Sequence, residues 1–307
     1  MSRYVALALL TAGVLACSGV AAQEHTLRVC LDENAPPYSV ARGDSGSGFD
    51  VALAGALAGR LGRPLAIQWF ETKFDEESSP KLELNALLSD RRCDLVAGYP
   101  LSVDTLGKPA VKTARLPDFR GAAATDRRRR VDLGVLVPSR PYQRAPLTLV
   151  VAPQVAQRRI TSLADVADLR IGVVGGTFAD AIVMLYNKGK LVDRVTHYPP
   201  GRDALLSGLE AGEIDAALIA LHRFDAYRLE HPDTRLRGTG FDYPLALNLG
   251  YVSLSENAAL IDRVNTVLDS MLASGELPAI AKAAGVTYIA PAEPFVSPGI
   301  TFKQIEN

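Results

Sequence analysis

Gly175-Gly176-Thr177 follows a short apolar run and opens a helical pattern. Unpaired backbone N–H groups and the positive end of a helix favour a carboxylate or another anion at such a tip. Thr177 can also serve simply as an N-cap, and the two roles are compatible. Asp32 and Glu33 stand at the end of the first apolar strand pattern, where open α/β sheets place their ligands. They could equally cap the loop that follows. Tyr38, in that loop, offers a flat apolar ring with a polar tip. Trp69, the only tryptophan, falls at the end of the second strand pattern, on the side of the same expected cleft. Tyr99 directly follows the third strand pattern, and His222 follows a later one. Chemistry beyond binding has little to build on. The four histidines (His25, His197, His222, His231) lack metal-ligand spacing, and no nucleophile elbow or phosphate loop is present. Glu33 is the one attractive general acid. No metal or cofactor is expected.

These residues need a scaffold, and two matched segments indicate which. Leu88-Ser-Asp-Arg-Arg-Cys-Asp94-Leu-Val-Ala and Leu209-Glu-Ala-Gly-Glu-Ile-Asp215-Ala-Ala-Leu each set a leucine six positions before an Asp. A polar turn lies between and an apolar run follows, which reads as helix, turn and buried parallel strand. Two such units far apart predict an α/β chain of two lobes, with a small-molecule cleft between them. The other predicted elements agree. Strands fall at Leu27–Leu31, Leu65–Phe70, Cys93–Gly98, Leu147–Ala152, Leu169–Val174, Val195–Tyr198 and Ala246–Leu254. Helices fall at Phe49–Leu61, Leu82–Leu88, Thr161–Ala167, Asp203–Gly208 and Asn257–Ala273. The segment Arg42–Ser47 reads as a hairpin tip or flexible loop. The stretch from Tyr99 to Pro141 holds five prolines and reads as a long elaborated loop.

Bulk properties narrow the setting. Residues 1–22 carry Arg3, an apolar Tyr4–Leu15 run and Val20-Ala21-Ala22 before Gln23, the pattern of an export signal. A periplasmic location follows. Val14-Leu15-Ala16-Cys17 loosely matches a lipid-attachment box, although Leu15 is bulky for its position, so the expected membrane links are a permease or a lipid on Cys17. With 33 basic and 34 acidic residues, nucleic acid is not an expected partner, and the Arg127–Arg130 run reads as a solvated loop face. After cleavage only Cys30 and Cys93 remain, which in an oxidising compartment suggests a disulfide. Parallel strands with aligned starts would separate the two by about 13 Å, too far to bridge. The register is open, and so is the bridge.

The order of these pieces resembles the extracytoplasmic solute-binding proteins of family 3, the polar amino acid type with the type II periplasmic binding fold. The resemblance is carried by Leu27-Arg-Val with Pro36-Pro37-Tyr38-Ser39, Gly48-Phe49-Asp50-Val-Ala-Leu, Leu88–Gly98, Ser139-Arg-Pro141-Tyr142 with Leu147–Val151, Leu163–Val173, Gly176-Thr177, Gly212-Glu-Ile-Asp215-Ala and Gly275–Ile280. It implies mixed, mostly parallel sheets in two lobes joined by two crossings, with 24–142 plus 245–307 in one lobe and 143–244 in the other. It also implies that Tyr38 stacks on the ligand. The ligand-gripping arginine of the family has its nearest match in Arg128, within Thr125-Asp-Arg-Arg128, displaced by an insertion. The acid that would hold an amino acid's ammonium should fall five positions after Asp215, where Ala220 stands. A desolvated ammonium without a carboxylate is strongly penalised. Asp32, Asp225 or Glu33 could substitute from elsewhere, but a small polar or anionic solute other than a standard α-amino acid is the expectation, captured for an ABC permease. Two alternatives stand beside this reading. Arg28-Val-Cys30 and Arg92-Cys-Asp94 resemble a subgroup that accompanies periplasmic quinoprotein alcohol dehydrogenases, which would make such a dehydrogenase the partner. An enzyme on the same scaffold, such as a dehydratase of prephenate-like acids, would need Glu33 in the cleft.

Overall fold

The computed structural model describes residues 26–307 apart from 44, 73–78, 127–128, 202, 300, 302–304 and 306–307. The predicted export signal, Cys17 and Arg128 lie outside the described residues. Two mixed sheets organise the chain. The first has six strands in the order Leu136–Ala145, Leu247–Leu254, Leu95–Pro100, Leu27–Asp32, Leu65–Glu71 and Asp118–Phe119. The second has five, in the order Val195–Tyr198, Ile171–Val174, Ala216–Ala220, Leu147–Val151 and Arg237–Asp242. The chain leaves the first sheet at Ala145, enters the second at Leu147 and returns between Asp242 and Leu247.

Each sheet is apolar on both faces because helices cover both. Strand Leu27–Asp32 buries four of its six residues, Leu27 and the consecutive Val29, Cys30 and Leu31, as expected of a central parallel strand. Helices Phe49–Arg60 and Ala258–Ala273 cover one face with Phe49, Leu53, Leu57, Val264 and Leu268. Helix Pro80–Ser89 covers the other with Ala86, Leu87 and Leu88. On the second sheet, helix Phe178–Leu185 packs Ile182 and Val183 onto Ile171 and Val173. Helices Ala204–Glu210 and Leu221–Glu230 bring Leu205, Leu209, Phe224 and Tyr227 to the opposite face. Ile305, near the end of the chain, is buried in the core of this second lobe. Among the described residues no helix is long and apolar enough to cross a membrane.

The two matched segments fold alike to the level of single hydrogen bonds. After each helix the chain takes a left-handed residue, Arg91 (φ 58°) in one lobe and Gly212 (φ 77°) in the other. Arg92 N donates to the Leu87 carbonyl and Arg91 N to that of Leu88; Glu213 and Gly212 repeat the pattern on Gly208 and Leu209. This double bond satisfies carbonyls left over at a helix end. Asp94 then accepts from the Arg28 backbone (2.9 Å) and guanidinium (2.8 Å), and Asp215 accepts from the Arg170 backbone (3.0 Å) and guanidinium (2.8 Å). The registers are equivalent, Val29 beside Leu95 and Ile171 beside Ala216.

Cys30 and Cys93 form a disulfide, with Cα atoms 5.6 Å apart. The long offset argued from aligned strand starts does not apply, because Cys93 is not a strand residue. The strand begins at Leu95, and Cys93 sits in the turn before it, where the chain is free to bend back over Cys30. The stretch read as a long loop contains the short strands Thr113–Arg115, Asp118–Phe119 and Arg130–Asp132. It ends in a ten-residue strand, Leu136–Ala145, that runs through Pro138 and Pro141. That strand lies at the sheet edge, with register shifts at its prolines, which is where a residue without an N–H is tolerated.

Candidate functional site

Two adjoining compartments with shared wall residues lie at the carboxyl ends of the central strands. The larger, about 570 Å³, is walled by Asp32, Tyr38, Glu71 and Thr72 from the first lobe and by Pro200, Gly201, Asp203, His222, Arg223, Tyr227 and Glu230 from the second. The smaller, about 480 Å³, opens over the helix tip at Gly176-Thr177 and is lined largely by Leu147, Val174, Leu205, Leu218 and Ile219. Pro200, Gly201 and Arg223 belong to both walls. Cavities of this size suit a small metabolite.

Among the described residues the larger compartment is acidic, with four carboxylates (Asp32, Glu71, Asp203, Glu230) against the guanidinium of Arg223. Burial pushes the Asp32 carboxyl above its ordinary value, opposed by hydrogen bonds from Thr72 and from the backbone of Asn34. Tyr38 crosses the gap: its ring centre lies 5.3 Å from that of His222. Gln143 fixes the phenol by donating from Nε2 at 2.8 Å. Burial, helped by the neighbouring Arg223, pulls His222 down to about 4, so at neutral pH it is an uncharged imidazole. Behind Tyr38, the buried Asp50 accepts a hydrogen bond from the Tyr142 hydroxyl at 3.0 Å, and burial raises its carboxyl to about 7.

The helix tip does face a void, but its donors are partly engaged from within. Gly176 N donates to Asp180 Oδ2 at 2.8 Å, and Asp180 N to Thr177 Oγ1 at 3.3 Å. Asp180 also meets His197 Nε2 at 2.9 Å. A carboxylate of the chain thus already occupies the positive end of this helix. Thr177 acts as the N-cap, and an incoming anion would have to compete with Asp180.

Of the residues singled out by sequence, Asp32, Tyr38 and His222 meet in the larger compartment, and Gly176 and Thr177 meet in the smaller. The other expectations need correction. Glu33 lies outside both, held by Arg120 at 3.0 Å beside a separate depression with Asp118. Trp69 is 4% exposed in the core of the first lobe, under the hairpin at Gly46, because it packs with Leu65 and Ile67 against helix Phe49–Arg60 and only Glu71, at the end of the same strand face, reaches the cleft. Tyr99 is equally buried and donates to the Thr105 carbonyl. Asp225, considered as a replacement acid, is buried and held by Thr287 and Arg228. Sequence reasoning missed Glu71, Thr72, Asp203, Arg223, Tyr227 and Glu230. Three of these ride on helix Leu221–Glu230, whose signal was Phe224 and Tyr227 three positions apart. It begins directly after a buried strand, with no turn residue to announce it.

No family model and no curated protein matches the chain by sequence. Solved structures do resemble it. The L-cystine solute receptor of Neisseria gonorrhoeae in its unliganded open conformation is 18% identical with a TM-score of 0.60, over 87% of this chain and 95% of that one. Substrate-binding domain 2 of Lactococcus lactis GlnP, in open conformation, is 17% identical with a TM-score of 0.60, over 85% and 95%. An ancestral cyclohexadienyl dehydratase is 20% identical with a TM-score of 0.52, over 85% and 92%. Likeness at these identities establishes fold alone. The chain has the mixed α/β, two-lobed type II periplasmic binding fold.

Proposed function

We propose that this chain is an extracytoplasmic solute-binding protein, exported by its first 22 residues, that traps a small polar solute between its lobes for an ABC permease. The observation that carries this reading is the compartment walled by both lobes, with Tyr38 of one in ring contact with His222 of the other at its edge. Its charge refines the solute class. Among the described lining residues, four carboxylates against one guanidinium and a neutral imidazole suit a solute bearing an amine or other basic group. The apolar second compartment suits a hydrocarbon or aromatic body. This moves the expectation away from an anion, since Asp180 already serves the helix tip.

The alternatives have less behind them. A dehydratase would need Glu33 in the cleft as an acid, and Glu33 is engaged with Arg120 outside it. The Arg-Val-Cys and Arg-Cys-Asp matches that suggested a dehydrogenase accessory have a structural explanation in the Arg28–Asp94 brace and the disulfide. A thermal-shift panel of amines, amino acids and carboxylates separates the readings. A basic solute should raise the melting temperature in proportion to the logarithm of its concentration. Shifts from carboxylates alone, or none from any compound, would count against it, and recovery of a quinoprotein dehydrogenase in a periplasmic pull-down would favour the accessory role.

A further inference from the structure

Helix Leu221–Glu230 has two working faces. His222, Arg223, Tyr227 and Glu230 look into the larger compartment. Asp225, Arg228 and Leu229, on the far side of the same helix, meet the turn Gly285-Val286-Thr287. That turn belongs to the other lobe: Val286 is buried in the core of the first lobe, and Tyr288 packs against it. Phe224 and Tyr227 root the helix in the second lobe.

The contact between them is specific. Asp225 is 1% exposed. Its Oδ2 accepts the Thr287 backbone N–H at 2.8 Å, and its Oδ1 accepts the Thr287 hydroxyl at 2.8 Å. Arg228 donates to Asp225 Oδ1 at 2.5 Å and to Thr287 Oγ1 at 3.1 Å. Gly285 lies so close that an added Cβ would fall 2.5 Å from Leu229 Cδ2. Arg228 shares a helix with Asp225, so it stays with the carboxylate if the lobes part. The bonds lost on parting are those to Thr287, and the charge is never stranded alone, which would be prohibitive. Such a contact can close firmly and still reopen.

We propose that Asp225 and Thr287 form an inter-lobe latch that holds the lobes closed and fixes the cavity-facing side of helix Leu221–Glu230. They are positioning residues: neither touches solute. The inference extends the solute-capture reading as regulation of the same site. Apparent affinity is the intrinsic affinity scaled by the closed fraction, so the latch sets affinity from behind the cavity wall.

The test uses Thr287→Val, which keeps the backbone N–H but removes the hydroxyl, and Thr287→Ser, which restores it. Small-angle X-ray scattering without solute should give a larger radius of gyration for T287V, with T287S matching the native chain. Leu229→Ala, at a half-exposed residue that the core does not need, should shift the same way by less, and it keeps the test open if T287V folds poorly. For a solute that binds the native chain, T287V should bind about tenfold more weakly, through faster dissociation, the size expected for losing one charge-assisted hydrogen bond. Unchanged solute-free scattering in T287V and L229A would overturn the latch. That arm needs no solute, so a failed search for one would tell against the capture reading alone.

Discussion

The two lobes brace their sheets identically and fill the space above the brace differently. In the first lobe, Arg28 clamps Asp94, and the residues two after the arginine and one before the aspartate are Cys30 and Cys93, joined as a disulfide. In the second, Arg170 clamps Asp215, and the same two places hold Gly172 and Ile214. Ile214 lies so tightly over Gly172 that an added Cβ would stand 2.2 Å from its Cδ1. The backbone hydrogen bonds are common to both, so they determine the turn geometry. The filler, covalent in one lobe and aliphatic in the other, is a separate choice made by local packing. The matched segments therefore explain how the cleft walls are built, not what binds between them.

The largest test of this comparison removes the first filler. Replacing both cysteines by serine releases a crosslink between residues 63 apart and should cost about 2–4 kcal/mol in urea unfolding. Installing the other lobe's solution, Cys30→Gly with Cys93→Ile, should recover about 1 kcal/mol of that through apolar burial; no recovery would mean the two places are not equivalent. The brace comes next. Asp215→Asn should cost about 2 kcal/mol at pH 7, and the more exposed Asp94→Asn about 1 kcal/mol. Arg170 holds the Asp215 carboxyl down at about 2, against an ordinary 3.8. A lowered value in the folded state means the stabilisation is fully present above pH 3.8 and is lost as pH falls through 2. The difference between native chain and D215N should shrink over that window. The smallest effects belong to the left-handed residue. Gly212→Ala should cost about 1 kcal/mol, while Arg91→Gly should gain about 0.5 kcal/mol by relieving a side chain at positive φ, less the exposed Arg91–Glu256 pair.

Much of this architecture was legible because helix, turn and buried parallel strand leave a strong local signature. Leu88 to Asp94 and Leu209 to Asp215 announced it twice. What escaped depended on distant partners. The disulfide turned on whether Cys93 stood inside a strand, which only the pairing of Val29 with Leu95 decides. Strand Leu136–Ala145 was hidden by Pro138 and Pro141, which only an edge position makes acceptable. In the site, Asp32 and Tyr38 were visible because they follow the first strand. Trp69 was misplaced because the hairpin at Gly46 covers its ring, a distant contact, and Arg223 and Glu230 were missed with their helix. Thr177 was placed correctly on its helix, but the engagement of Gly176 by Asp180 needed three dimensions.

The central claim is that solute sits between the lobes, and Gly201 offers the most direct test. It lines both compartments, and open space surrounds the point where its Cβ would be, so Gly201→Trp plugs their junction without a clash in the fold. Isothermal titration of the native chain and of G201W with the same basic solute decides the matter. The account predicts saturable one-site binding to the native chain and its loss in a folded G201W; undiminished binding by G201W would contradict it.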